Sequence, residues 1–335
     1  MSPVDAVEEI RKIAAQGRSF LVATHRNPDG DAVGSCLAVR LILRGLGKEA
    51  LAWLPEGVPQ SYRFLEGAGE AVRTLPAGEK FDATFVVDTA DEGILGAPLP
   101  PRETTGPVVV IDHHRTRTEW GEVYLYRDAS AVGEIVFDLA RDLGATVTTA
   151  LAECVFTAMM TDTGSFRYET TTARVMHVAA ECIELGVSPW KVALEVYETF
   201  PRSRVELLVE VLSTLRVDIE GTFASLLARP EALARHGLGP DALEDFVNYA
   251  RAIEGVEVAA LLRRRQDGAI RVSLRSRGKI DVSLVAKNFG GGGHRGAAGC
   301  TIEGLGLEEA REAVRLHLEK DWKLASLRGE EPRRG

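Results

Sequence analysis

Over the first half of the chain, short solid apolar runs alternate with longer stretches in which apolar residues recur every three or four positions. The runs at 20–24, 49–54, 83–87 and 108–111 are rich in Val, Ile, Phe, Leu and Ala, the pattern of strands buried on both faces. Between and after them, helical periodicity predicts helices over 32–46, 131–143, 150–161 and 170–185. An earlier helix is expected behind Ser2, Pro3 and Asp5, with Val4, Val7, Ile10 and Ala14 on one face. Residues 58–65 read as irregular. Strand after helix after strand implies an α/β unit around a mostly parallel sheet.

Beyond about residue 217 the style changes. Strand patterns are expected over 217–228, 257–265 and 269–277, the last two separated by Gln266-Asp267-Gly268, a strong hairpin cue. Helices are expected over 230–251, 281–289 and 307–327, and the second of these runs into GGGGHRGAAG. Residues 190–217 carry helical periodicity that Phe200-Pro201 interrupts. The expected division is a domain over 1–188, a helical connector over 189–216, a smaller α/β domain over 217–327 and a tail over 328–335.

Composition narrows the class. The chain has 335 residues, 45% of them hydrophobic, and a net charge of −9, which excludes a generic nucleic-acid coat. No stretch approaches the ~18 apolar residues of a membrane span, and the N-terminus lacks a signal-peptide core. Cys36, Cys154, Cys182 and Cys300 are scattered without CxxC spacing, which suits buried reduced thiols and a cytoplasmic location. One segment departs from the acidic average: residues 259–300 hold nine Lys/Arg against Asp267 and Asp281.

The chemistry gathers where strands end. After the first strand comes THRNPDGDAVGS with His25, Asp29 and Asp31; the third ends on Asp88; the fourth runs into Asp112, His113 and His114. Asp162 closes a helix beside Gly164. Each acid alone has a plain use: Asp31 as an N-cap, Asp88 as a helix cap, Asp112 ordering a loop. Together they recur at one edge of a parallel sheet, where open α/β folds bind ligands. Carboxylates and imidazoles without thiolates suit a hard or borderline divalent ion, Mn²⁺ first and Mg²⁺ next. The set is too large for one catalytic ion and suits two, about 3.5–4 Å apart and sharing a carboxylate. His177, His236 and His317 read as structural.

The motifs HRNPDGD, VVDTAD, IDHH and MTDTGSF, in this order, resemble the four motifs of the DHH phosphoesterase superfamily, and GGGGHRGAAG resembles the signature of the DHHA1 domain. In two-domain length the chain is similar to the bacterial bifunctional oligoribonuclease and pAp phosphatase family, the nanoRNases. That resemblance implies a Mn²⁺-dependent enzyme that cleaves very short RNA to mononucleotides and removes the 3′-phosphate of adenosine 3′,5′-bisphosphate (pAp), with its active site in a cleft between the domains. It implies His25, Asp29 and Asp88 on one Mn²⁺, and Asp31, Asp88, His113 and Asp162 on the other. Asp112 would orient an imidazole and His114 would face the scissile phosphate. Family members often carry an Asn soon after DHH, where this chain reads RTRTEW; Arg115 and Arg117 are taken as surface arginines.

In the second domain, alternation along 269–277 puts Arg271, Ser273, Arg275 and Arg277 on one face. The resemblance singles out Arg275 and Ser276, with Gly291, Gly292, Gly293 and His294, as substrate-binding. Phe289 reads as core. Short RNA and pAp are thus the expected substrates, and monomer and homodimer both stay open. The competing readings are a linear or cyclic dinucleotide phosphodiesterase with the same motifs, and a non-catalytic RNA-binding protein. The length disfavours a RecJ-like exonuclease, and the glycine run disfavours a family II pyrophosphatase.

Overall fold

The computed structural model describes residues 2–293 and 295–327, with side chains as far as residue 320. The chain divides into two compact units, Met1–Thr199 and Phe200–Gly335. No described helix is long and apolar enough to cross a membrane.

The first unit is built on strands β1 (Ser19–Thr24), β2 (Glu49–Trp53), β3 (Ala83–Val87), β4 (Val108–Asp112) and β5 (Val123–Tyr126). They form one sheet in the order β2-β1-β3-β4-β5, with every pairing parallel. Order reverses between β1 and β3, so the crevice at their carboxyl ends is the natural ligand position. Helices α1 (Pro3–Gln16), α2 (Gly30–Gly45), the single turn α3 (Arg102–Thr105), α4 (Val132–Asp142), α5 (Thr149–Asp162), α6 (Ala173–Glu184) and α7 (Pro189–Tyr197) complete it. Both sheet faces are covered. Phe20, Val22, Phe85 and Ile111 join the large core with α2, α4 and α5, while Leu21, Val86 and Val110 form a smaller one with Trp53 and Phe81. This is why those strands read as unbroken apolar runs.

The second unit holds α8 (Arg202–Leu212), β6 (Arg216–Asp218), β7 (Phe223–Ala228), α9 (Pro230–Arg235), α10 (Phe246–Arg251), β8 (Val258–Arg264), β9 (Ile270–Ser276), α11 (Val282–Lys287), β10 (Gly292–Gly293), β11 (Ala297–Ile302) and α12 (Leu307–Leu327). Its mixed sheet runs β10-β11-β9-β8-β7-β6, in which β7 and β8 alone are parallel. The β8–β9 hairpin turns at Gly268, whose φ of +88° is the conformation the Asp-Gly signal calls for.

Two expected elements change in detail. The strand expected over 217–228 is two strands, because Ile219, Glu220 and Gly221 take left-handed φ and turn the chain. The helical stretch 230–251 breaks into α9, a 3₁₀ turn at Pro240–Leu243 and α10. β5 has no counterpart in the apolar pattern, being four residues of Val-Tyr-Leu-Tyr at a sheet edge. The segment expected as a connector contributes α7 to the first unit and α8 to the second.

Candidate metal centre

The chain leaves β1 through His25 and enters α2 with Asp29 as its N-cap, whose Oδ1 accepts the Ala32 N–H at 3.0 Å. The capping role therefore falls to Asp29, and Asp31 is left buried in the first turn. Asp31 accepts from Ser35 Oγ at 2.8 Å and from the Val132 and Gly133 N–H groups at 2.7 and 3.0 Å, the open N-terminus of α4. Gly30 and Gly34 are needed for packing: a Cβ on Gly30 would strike the Thr161 side chain, and one on Gly34 would lie 2.5 Å from the Cys154 carbonyl oxygen. Small residues on α2 thus let α5 approach closely, which sets Asp162, the last residue of α5, beside the first turn of α2.

Asp88 follows β3 in a left-handed backbone, φ +54°, unusual for a residue with a Cβ and worth about 1–3 kcal/mol of strain. Its N–H donates to the Ile111 carbonyl at 2.9 Å, so β4 holds the strained turn in place. The side chain is buried, and Oδ1 has no hydrogen-bond donor among the described residues. Two imidazole nitrogens lie near it, His113 Nε2 at 3.5 Å and His114 Nδ1 at 3.6 Å. His25 Nε2 lies 3.4 Å from Oδ2.

Three overlapping groups have ligand atoms within 4.8 Å of one another: His25, Asp29 and Asp88; Asp31, His113 and Asp162; and Asp88, His113 and His114. His113 Nε2 is 3.7 Å from Asp162 Oδ2 and 3.9 Å from Asp31 Oδ2. Its other nitrogen, Nδ1, is 3.1 Å from the Ala129 carbonyl, and His25 Nδ1 is 2.8 Å from the Arg26 carbonyl. With each Nδ1–H donated to a carbonyl, each Nε2 is turned toward the carboxylates, the arrangement metal-binding imidazoles adopt.

Electrostatics describe a cluster short of positive charge. Burial alone would lower the His25 pKa, but the hydrogen bond and charge of Asp88, with Asp29, raise it to about 10. His113 is likewise raised to about 10: burial opposes this, and Asp162, Asp88 and Asp31 outweigh it. Burial and the charge of Asp88 push Asp31 well above the usual carboxylate range. Burial lifts Asp162 to about 6, with His113 partly offsetting it. Asp88 goes the other way: burial would raise it, but His25, His114 and His113 hold it low. The imidazoles hold protons where cations would serve better, and Asp88 Oδ1 is left without a donor. Both observations fit a pair of divalent ions sharing Asp88.

Behind this cluster, Asp112 is fully buried and divides its oxygens. His114 Nδ1–H donates to Oδ1 at 2.7 Å and Tyr124 Oη–H donates to Oδ2 at 2.7 Å. Tyr124 lies on β5, and its pKa is pushed up by burial and by Asp112. It is the site neighbour that motif reading misses; the sole hint is an aromatic hydroxyl 12 residues after Asp112. Arg115 is exposed and pairs with Asp128, while Arg117 lies 3.5 Å over the Tyr126 ring and donates to the His114 carbonyl at 3.4 Å.

In the second unit Arg275 lies on the half-open face of β9. Ser276 does not join it there. It is buried, and its Oγ accepts the Gly278 N–H at 2.9 Å and donates to Glu257 at 3.4 Å. Gly291 and Gly293 pack directly on β11, where side chains would collide with the Gly299 carbonyl and with Ala297 and Ala298; Gly290 and Gly292 have open space. His294 and the tail over 328–335 lie outside the described residues. His177 is exposed on α6, His236 pairs with Glu210, and Phe289 packs edge-on against His317 at the rim of the second core.

Residues 19–159 match the model of the DHH family N-terminal domain, and residues 223–320 match the DHHA1 domain. The chain is 37% identical, over 92% of its length and 91% of the relative's, to the bifunctional oligoribonuclease and PAP phosphatase NrnA of Thermus thermophilus. The protein of the same description from Bacillus subtilis is 26% identical over 85% of this chain and 89% of its own. Among solved structures, an exopolyphosphatase-related protein from Bacteroides fragilis superposes with a TM-score of 0.86 at 25% identity, covering 96% of this chain and 98% of that one.

Proposed function

Because the chain belongs to the DHH family of phosphoesterases, we propose that it hydrolyses very short oligoribonucleotides to mononucleotides and removes the 3′-phosphate of pAp. The observation that carries this reading is the shared, orphaned carboxylate of Asp88 between two sets of ligand atoms. One divalent ion would be held by His25, Asp29 and Asp88, the other by Asp31, Asp88, His113 and Asp162, with Mn²⁺ the proposed metal. When bound, such ions offset charge on a phosphate and lower the pKa of water between them.

The protein's own groups supply the rest. With its Nδ1–H given to Asp112, His114 would give a proton from Nε2 to the departing sugar oxygen. Tyr124, by occupying the second oxygen of Asp112, fixes that carboxylate and so the ring of His114. Arg275 and the glycine run, with His294, hold the neighbouring phosphate, and Ser276 serves by tying down the turn at Gly278.

Soluble enzyme acting in the cytoplasm is the setting this reading implies, and a homodimer is compatible with it. Steady-state rates on diribonucleotides, longer RNA, pAp and cyclic dinucleotides test it with Mn²⁺ and with Mg²⁺. The expected order places two- to five-residue RNA and pAp well above long RNA. Faster hydrolysis of a cyclic dinucleotide than of its linear form would overturn the assignment.

A further inference from the structure

Among the described residues, the sheet of the second unit ends on β6, which is paired with β7 alone. Half the backbone N–H and C=O groups of such an edge strand point away from its sheet, ready to pair with another chain. Proteins usually guard these edges with lysine, proline or a bulge. Here the middle residue is Val217, 44% exposed, and Leu215 just before the strand is 40% exposed.

Alternation assigns the two faces. Val217 stands opposite Ala224, which belongs to the core shared with Leu207 and Val211 of α8. Arg216 and Asp218 take the other face, where Arg216 Nη2 is 3.9 Å from Glu312 of α12. On the α8 face the apolar surface continues. Glu210 pairs with Arg235 and His236 at the end of α9, and the opposite flank of α8 carries Val205, Leu208 and Leu212. Val205 and Val209 are 54% and 65% exposed, and the core covers Leu208 and Leu212 only in part. An aliphatic strip thus leads from α8 through Leu215 to the free edge of β6.

The order of residues 215–219, Leu-Arg-Val-Asp-Ile, is complementary to its own reverse. Laid antiparallel against a second copy about a twofold axis at Val217, Val217 meets itself, Arg216 meets Asp218 and Leu215 meets Ile219. An axis at Arg216 or Asp218 would oppose like charges, and one between residues would set Val217 against a charge. Within one chain Arg216 Nε already donates to Asp218 Oδ1 at 3.1 Å. That acid lies two residues along the strand, roughly 6.6 Å by rise, whereas directly opposed Cβ atoms are about 4.5–5.5 Å apart. Asp218 of the second copy is therefore the better placed of the two.

We infer that β6 is the seam of a homodimer, in which two copies of the second unit join their sheets edge to edge and lay their α8 strips together. The contact is independent of the metal cluster, whose residues all belong to the first unit. A strand pair this short buries little, so α8 must supply most of the ~800 Å² that each partner of a stable interface contributes. The dimer is accordingly weak, in exchange with monomer at micromolar concentration.

Sedimentation equilibrium of the full chain over a wide concentration range tests this. Wild type should pass from the monomer mass to twice that mass as concentration rises. Val217→Lys puts a charge on the axis and should remain monomeric throughout. Arg216→Asp opposes acid to acid and Asp218→Arg opposes base to base, so each alone should be monomeric. Mixed in equal amounts, these two variants should dimerise with each other. Thermal melts establish that each variant is folded, and Val217→Lys with Arg216→Asp still decides the matter should Asp218→Arg fail to fold. A wild type that stays monomeric overturns the inference. So does a dimer that survives Val217→Lys or Arg216→Asp, or a mixture of the two folded charge variants that does not associate.

Discussion

Tyr124 shows how far a single hydroxyl reaches in this site. Its hydroxyl donates to Asp112 Oδ2 while His114 takes Oδ1, so it holds the carboxylate that holds the imidazole. Tyr124→Phe keeps the ring and removes the donor, leaving a buried acceptor unsatisfied. Losses from such supporting groups run about 10–100-fold, and we expect about tenfold in kcat on a diribonucleotide. If the effect passes through proton donation by His114, it should shrink on an aryl phosphodiester whose leaving group needs no proton. In a His114→Ala background, Tyr124→Phe should cost almost nothing further. Steady-state kinetics of the two single variants and the double variant decide it; uniform loss on both substrates would make Tyr124 a packing residue only.

At the scale of elements, the site depends on how closely α2 and α5 lie, and Gly34 is the tightest point against backbone. Gly34→Ala would drive a methyl toward the Cys154 carbonyl and force the helices apart. We expect a loss of about 1–3 kcal/mol, seen as a lower melting temperature, and weaker Mn²⁺ binding, because Asp29 and Asp162 sit at the ends of those two helices. A calorimetric titration showing wild-type Mn²⁺ affinity would separate the packing from the metal site. The same elements show what the sequence makes legible. Solid apolar runs gave away β1, β3 and β4, since strands buried on both faces have no polar positions to disguise them. The acids ending those strands followed from the edge they share. What stayed hidden depends on contacts between distant segments. β5 is a short edge strand, the turn within 217–228 rests on left-handed residues of ordinary type, and the roles of Gly30 and Gly34 belong to α5, over a hundred residues away. Ser276, which the resemblance pairs with Arg275, faces inward with Ile270, Val272 and Leu274.

For the molecule as a whole, the cluster links metal, protons and stability. His25 and His113 are raised to about 10 in the absence of metal, above the ~6.5 of an unfolded histidine. A group bound more tightly to its proton in the folded state stabilises fully below its unfolded pKa and ceases to do so as pH rises through the folded value. The protein in EDTA should therefore lose melting temperature steadily from about pH 6.5 toward 10. If the proposed assignment holds, with saturating Mn²⁺ the same nitrogens would be ligands without protons, and that decline should vanish. Calorimetry at several pH values, kept free of oxygen, checks both curves, and a flat EDTA curve would contradict the cluster's electrostatics. The central claim, a phosphoesterase whose two metal positions share Asp88, has a more direct test. Asp88→Asn removes the charge while keeping a side chain that tolerates a left-handed backbone. Titration of Mn²⁺ into metal-free protein, followed by turnover of a diribonucleotide, should find two ions per chain in wild type. The variant should bind fewer and lose more than about a hundredfold in turnover on every substrate. Two ions and near-normal turnover in Asp88→Asn at saturating Mn²⁺ would contradict the account.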